Sequence, residues 1–144
     1  MNCKWKFEIS SGYIPIRIGN LKSLTLFFAW WNRLIGSIPN NRSECQELQP
    51  LDLPYNSLFA PILKQIFALT NLTKVLLLSN NFSGFIPPDT GNCTNLYMLR
   101  LSGSRLLDTI PSEIGSLKSL NSFMTSDTKF SFFESWEKIG LNPF

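Results

Sequence analysis

The stretch LTKVLLLSNNFSGFIPPDTGNCTNL, Leu72 to Leu96, decides the fold. Leu72, Val75 and Leu77 stand at the spacing apolar-x-x-apolar-x-apolar; Asn80 comes three residues later, Phe82 two after that, and Ile86-Pro87 closes the run before Leu96 starts the pattern again. Stepping outward from Leu72 in shifts of 24 places Leu24, Leu48, Leu72, Leu96 and Leu120 in one column. A second column holds Phe27, Leu51, Val75, Leu99 and Phe123, and a third holds Ala29, Leu53, Leu77 and Leu101 before polar Thr125. Asn32, Asn56 and Asn80 are followed in phase by Ser104 and Thr128, and Leu34, Leu58, Phe82, Leu106 and Phe130 come next. Ile14, Ile38, Ile62, Ile86 and Ile110 share one phase, with Pro15, Pro39, Pro87 and Pro111 after four of them and Leu63 after the fifth. Agreement of so many columns over four or five periods is the mark of a repeat architecture.

The local spacing says what each period builds. Two apolar residues two positions apart point to the same face of a short strand, and the residues between them point to the other face. Identical units of one strand and one return stack in parallel, with strands about 4.8 Å apart. The expected fold is therefore α/β in class: a solenoid with a parallel sheet on its concave face, 3-10 or irregular turns on its convex side, and about five 24-residue repeats. An Asn where the strand turns away supplies an amide that both donates to and accepts from the backbone groups left open there.

Composition agrees and removes other functions. Leu, Ser and Asn number 22, 17 and 13 of 144 residues, while charged residues make only 16%, against the roughly 25% usual in soluble proteins. The chain has no His, so a Ser-His or Cys-His pair and a His-bound metal are ruled out. The cysteines Cys3, Cys45 and Cys93 lie far from any C-x-x-C spacing. Neither a paired-acid site nor a phosphate-cradling loop is evident; Gly19, Gly36, Gly84 and Gly115 belong to the repeat turns. No cofactor, no metal and no enzymatic activity are expected. A net charge of +3, with Lys4, Lys6, Lys22, Arg33, Lys64, Lys74 and Arg100 dispersed, gives no nucleic-acid footprint. No segment reads as a secretion signal or as the roughly 20 apolar residues of a membrane span, so no membrane contact is expected of these residues themselves.

The segments SGYIPIRIGNLKSL, LLLSNNFSGFIPPDTGNCTNL and TIPSEIGSLKSL resemble the plant-specific leucine-rich repeat, L-x-x-L-x-L-x-x-N-x-L-x-G-x-I-P-x-x-I-G-N-L-x-x-L. The chain is similar to the ectodomains of plant leucine-rich-repeat receptor-like kinases, in particular the group that includes the receptors for root meristem growth factor peptides. That resemblance implies a cell-surface protein at the plasma membrane, with a cytoplasmic Ser/Thr kinase that these residues do not contain. It also implies recognition of a peptide or protein ligand, with a leucine-rich-repeat co-receptor as a further partner. Receptors of this kind use an R-x-G-G motif for a sulfated tyrosine; the corresponding stretch is Arg100-Leu101-Ser102-Gly103, with Ser102 in place of the first Gly.

Departures from the pattern set further expectations. Pro50 and Pro54 lie in or beside the second strand, and each lacks the N–H of a ladder residue, so fraying is expected there. Arg42 takes the phase of Ile18, Ile66 and Ile114, and Leu63 replaces the Pro of its Ile-Pro pair, which compromises packing and turn in that unit. Residues 1–11 read as a non-repeat segment, 12–123 as the repeats and 124–144 as a degenerate tail. Within the tail, Ser131-Phe132-Phe133-Glu134 has capping-box spacing, and a helix over 132–139 would cover the open end of the stack.

Residues expected on the concave face include Phe28, Trp30, Trp31, Asp52, Tyr55, Lys74, Leu76, Leu78, Met98, Arg100 and Ser102, and this set is the candidate ligand-binding surface. Its aromatic N-terminal part suits an extended peptide, with Arg100 or Lys74 for a carboxylate or sulfate. The competing reading has Phe28, Trp30 and Trp31 covering the end of the stack or meeting a neighbouring repeat. Asn41, Asn71, Asn81 and Asn92 open N-x-S/T sequons and are candidate glycosylation sites. Cys45 and Cys93 share a phase two repeats apart, hence roughly 10 Å between strands, too far for a disulfide, and read as buried small apolar residues. A non-catalytic binding module is the first functional expectation; a truncated product without independent function is the alternative.

Overall fold

Each apolar-x-apolar pair buries both side chains under one sheet only where the backbone is extended, and strands form at these pairs. The computed structural model describes residues 3–6, 11–40, 45–107 and 109–125, the first range as backbone path alone. Strands β1 (Cys3–Lys6), β3 (Leu24–Phe28), β5 (Pro50–Asp52), β7 (Lys74–Leu76), β9 (Met98–Arg100) and β11 (Ser122–Met124) form the inner sheet in that order, every neighbouring pair parallel. Registers of Leu51 with Val75, Val75 with Leu99 and Phe123 with Leu99 reproduce the repeat step residue for residue. The molecule is a leucine-rich-repeat solenoid. Its inner sheet begins at β1, within the segment that the repeat pattern does not reach.

The columns of the sequence become the core. Leu24, Leu48, Leu72, Leu96 and Leu120 are all buried, as are Phe27, Leu51, Val75, Leu99 and Phe123 and, next along, Ala29, Leu53, Leu77 and Leu101. Each buried leucine side chain contributes about 1.5–3 kcal/mol through the apolar area it hides. A single coil offers no partner for that area, so the stack is the stable unit.

The turn out of the inner sheet is held by the Asn column. Asn80 donates through Nδ2 to the carbonyls of Leu53 (2.9 Å), Leu77 (3.1 Å) and Leu78 (3.3 Å) and accepts at Oδ1 from the Leu58 N–H (3.0 Å). Asn56 repeats the arrangement one coil earlier, donating to Ala29, Leu53 and Pro54 and accepting from Leu34. Each amide thus ties two coils together. Ser104 is too short to do so, and its buried Oγ has no hydrogen-bond partner.

Past this turn lies an element that the sequence did not predict. Strands β2 (Ser11–Tyr13), β4 (Arg33–Gly36), β6 (Ser57–Pro61), β8 (Asn81–Gly84) and β10 (Arg105–Leu106) form a second parallel sheet, ordered β10-β8-β6-β4-β2. The expected 3-10 turns then follow at Ile16–Asn20, Lys64–Ala68, Pro88–Asn92 and Ser112–Ser116. The residue before each has the polyproline conformation, whether it is Pro15 (φ −62°, ψ 132°) or Leu63 (φ −76°, ψ 134°). Leu63 therefore makes the turn that its proline-bearing counterparts make.

The expected fraying at Pro50 and Pro54 does not occur. In the other coils the amide at the position of Pro50 is the longer arm of a shared bond: Lys74 N–H reaches Gln49 O at 3.3 Å, while its neighbour Thr73 N–H reaches the same oxygen at 2.9 Å. In the proline coil, Gln49 N–H holds Thr25 O at 3.1 Å by itself. At the position of Pro54, none of Trp30, Leu78 and Ser102 donates a backbone hydrogen bond among the described residues. Both prolines fall where the ladder does not need their missing N–H. Arg42 and the proposed tail helix over 132–139 lie outside the described residues.

Candidate ligand-binding surface

Residues one position out of phase with the core leucines face the other side of the inner sheet. The register sets Phe28 opposite Asp52, Asp52 opposite Leu76, Leu76 opposite Arg100 and Arg100 opposite Met124, a row running across the strands. Beside it runs the row Pro50, Lys74, Met98 and Ser122. Trp30, Pro54, Leu78 and Ser102 continue the face at the strand exits, and Trp31, Tyr55, Ser79 and Gly103 follow. All eleven sequence-predicted candidates thus lie in adjacent rows of one surface. Their exposure divides them: Trp30 is 47%, Trp31 68% and Tyr55 43% exposed, and the other eight are half-buried.

The last row has its own backbone state. Trp31, Tyr55, Ser79 and Gly103 have φ of 54°, 55°, 54° and 72°, the left-handed region in which bulky residues are rare. The backbone turns this way at each of these four coils, so the strain belongs to the turn and is shared with Ser79. At Gly103 a side chain would crowd the preceding coil, because a Cβ would sit 3.1 Å from Ser79 Cα. Held in this state one coil apart, the Trp31 and Tyr55 rings stack with centroids 4.6 Å apart and planes at 26°. Their common phase in the sequence was the signal for this shelf.

The charged members are tied down in ways that the sequence hid. Lys74 Nζ lies 5.4 Å from the centroid of the Tyr97 ring, a cation–π contact on a diagonal between neighbouring coils. Arg100 donates through Nε to Ser122 Oγ at 3.4 Å. Burial pushes the Asp52 carboxyl above its ordinary range, partly offset by the nearby Lys74 ammonium.

Away from this face, Cys45 and Cys93 are both buried, as expected of small core residues. The Cys93 thiol donates to Phe67 O and Leu69 O, both at 3.5 Å, and burial pushes it up to about 11, which keeps it protonated at neutral pH. Asn71, Asn81 and Asn92 are exposed and lie outside the inner strands, and Asn71 Nδ2 donates to Gln46 O at 2.8 Å. Asn41 lies outside the described residues.

Among solved structures the chain is similar to the plant peptide hormone receptor RGFR1 in complex with RGF2, at 58% identity over 85% of this chain and 20% of that one, with a TM-score of 0.81. It is similar to the ectodomain of GASSHO1/SCHENGEN3 from Arabidopsis thaliana in complex with CASPARIAN STRIP INTEGRITY FACTOR 2, at 32% identity over 91% of this chain and 16% of that one, TM-score 0.81. It is similar also to the Arabidopsis HAESA ectodomain with an N-terminally extended IDA peptide, at 33% identity over 78% of this chain and 19% of that one, TM-score 0.74. The chain spans a fifth or less of the length of these structures. No protein-family model matches it, and no curated protein matches it. By its repeat columns, its one-coil register and these comparisons, the chain is a leucine-rich-repeat solenoid whose structural neighbours are the ectodomains of plant receptor kinases.

Proposed function

We propose that this chain is a non-catalytic binding segment of a plant receptor-kinase ectodomain, which takes a peptide or protein ligand across its inner sheet in cell-surface signalling. The observation that carries the reading is the juxtaposition of a stacked aromatic shelf, Trp31 and Tyr55, with half-buried Phe28, Leu76, Leu78 and Met98 and the charges of Asp52, Lys74 and Arg100 on one face. Aromatic anchors beside a few fixed charges are the composition of an interface core. Support comes also from the peptides that RGFR1, GASSHO1/SCHENGEN3 and HAESA hold in their complexes. A leucine-rich-repeat co-receptor is the further partner in this reading; HAESA is seen with the peptide hormone IDA and the co-receptor SERK1. Glycans on Asn71, Asn81 and Asn92 would leave the inner face clear, since none of the three belongs to an inner strand.

The test is selection of a displayed library of random linear peptides, together with synthetic RGF2, on the purified chain and on a Trp31→Ser, Tyr55→Ser variant. The proposal expects specific binders that weaken by about tenfold or more on the variant. Absence of any specific binder to the folded chain, or equal binding to both forms, would overturn it.

A further inference from the structure

Asp52 is the one acidic side chain on the described strands of the inner sheet. Its surroundings are apolar on four sides. Phe28 on β3 and Leu76 on β7 stand opposite it in register, and Pro50 and Pro54, both buried, flank it along its own strand. Among the described residues its carboxylate makes no hydrogen bond and no ion pair, and the one charge acting on it, Lys74, has its ammonium over the Tyr97 ring. A half-buried carboxylate in an apolar frame carries a desolvation penalty that a counter-charge removes. Among the described residues, the fold supplies the frame and, apart from the Lys74 ammonium held over Tyr97, no counter-charge.

We infer that Asp52 seats a cationic group of the ligand, a guanidinium or ammonium laid between Phe28 and Leu76. The inference rests on the peptide-binding reading above and assigns a polarity to that site. Along the solenoid the face reads negative at Asp52, then positive at Lys74 and Arg100 on the next two inner strands. Asp52 and Arg100 are two strands apart, about 10 Å. An extended peptide rises roughly 3.3 Å per residue, so that separation corresponds to about three residues. The ligand class is therefore a linear peptide with a basic residue about three positions from an acidic or sulfated one, its basic end lying toward the aromatic shelf. The Phe28 ring beside the carboxylate favours a guanidinium, whose plane stacks while its edge donates.

The experiment compares peptides selected from the same random library on the native chain with their binding to Asp52→Asn and Asp52→Lys. The native chain is expected to enrich Arg or Lys at one fixed position. Those peptides should weaken by tenfold or more on Asp52→Asn, while its thermal unfolding stays cooperative. Replacing the peptide's fixed basic residue by Glu should abolish binding to the native chain and restore it on Asp52→Lys, a reciprocal rescue that a merely structural aspartate would not give. Peptides that bind the face without a fixed basic position, or that bind Asp52→Asn unchanged, overturn the assignment and leave peptide recognition standing. Failure to select any peptide overturns both.

Discussion

Asn80 shows how much one side chain can hold. Its amide closes three carbonyls and one N–H across two coils, and the position of Ser104 in the next coil asks for the same bonds. Serine leaves its own hydroxyl unpartnered there. Ser104→Asn is expected to raise stability by about 1–2 kcal/mol, as each net hydrogen bond contributes about 1 kcal/mol, measured by chemical denaturation. No gain would mean that the amide ladder does not extend to this coil. Ala60 is the second residue out of character: Gly12, Gly36 and Gly84 share its phase, and all four have φ between 79° and 99°. An alanine side chain is strained in that region, whereas glycine is not. Ala60→Gly should therefore stabilise by roughly 1 kcal/mol, the reverse of the usual effect of introducing glycine into a strand.

At the scale of the element, the inner strands were legible and the outer ones were not, for one physical reason. Inner strands bury alternate residues, so Leu51 and Leu53, or Val75 and Leu77, announce themselves by spacing. Strands β4, β6 and β8 pair through backbone bonds and alternate weakly: Ser57-Leu58-Phe59-Ala60-Pro61 buries Leu58 and exposes Phe59. The prolines misled for a related reason. A missing N–H matters only where the ladder uses that N–H, and a sequence does not say which amides of a strand point at a neighbour. If β5 is as well formed as the structure has it, the Leu53 N–H, which donates to Leu76 O at 2.9 Å, should be protected from hydrogen exchange like that of Leu77, which donates to Arg100 O at 2.8 Å. Exchange at Leu53 faster by orders of magnitude would restore the fraying that Pro50 and Pro54 suggest.

For the molecule as a whole, the repeat step does two jobs at once. It buries the leucines of one coil against those of the next, and it brings residues 24 apart in sequence into rows on the opposite face. That is why all eleven candidates could be placed from the sequence: a position's face is fixed by its phase. What phase could not give was contact on the diagonal, such as Lys74 over Tyr97 and Arg100 to Ser122, which depends on rotamers and not on register. Phase did place the frame of Asp52, Phe28 and Leu76 lying 24 residues either side and Pro50 and Pro54 two either side, but it did not give the burial of those prolines, which read as damage. The proposed function depends on the same stacking, since the shelf of Trp31 on Tyr55 and the row from Phe28 to Arg100 exist only while adjacent coils stay in register.

The stacking is therefore what to measure, by scalar couplings across backbone hydrogen bonds in the isotope-labelled chain. The account predicts correlations from Ala29 N–H to the Asp52 carbonyl, Leu53 to Leu76, Leu77 to Arg100 and Leu101 to Met124, a single ladder advancing one coil at a time. Correlations that join other residues, or none across these pairs in a chain that is otherwise folded, would contradict it.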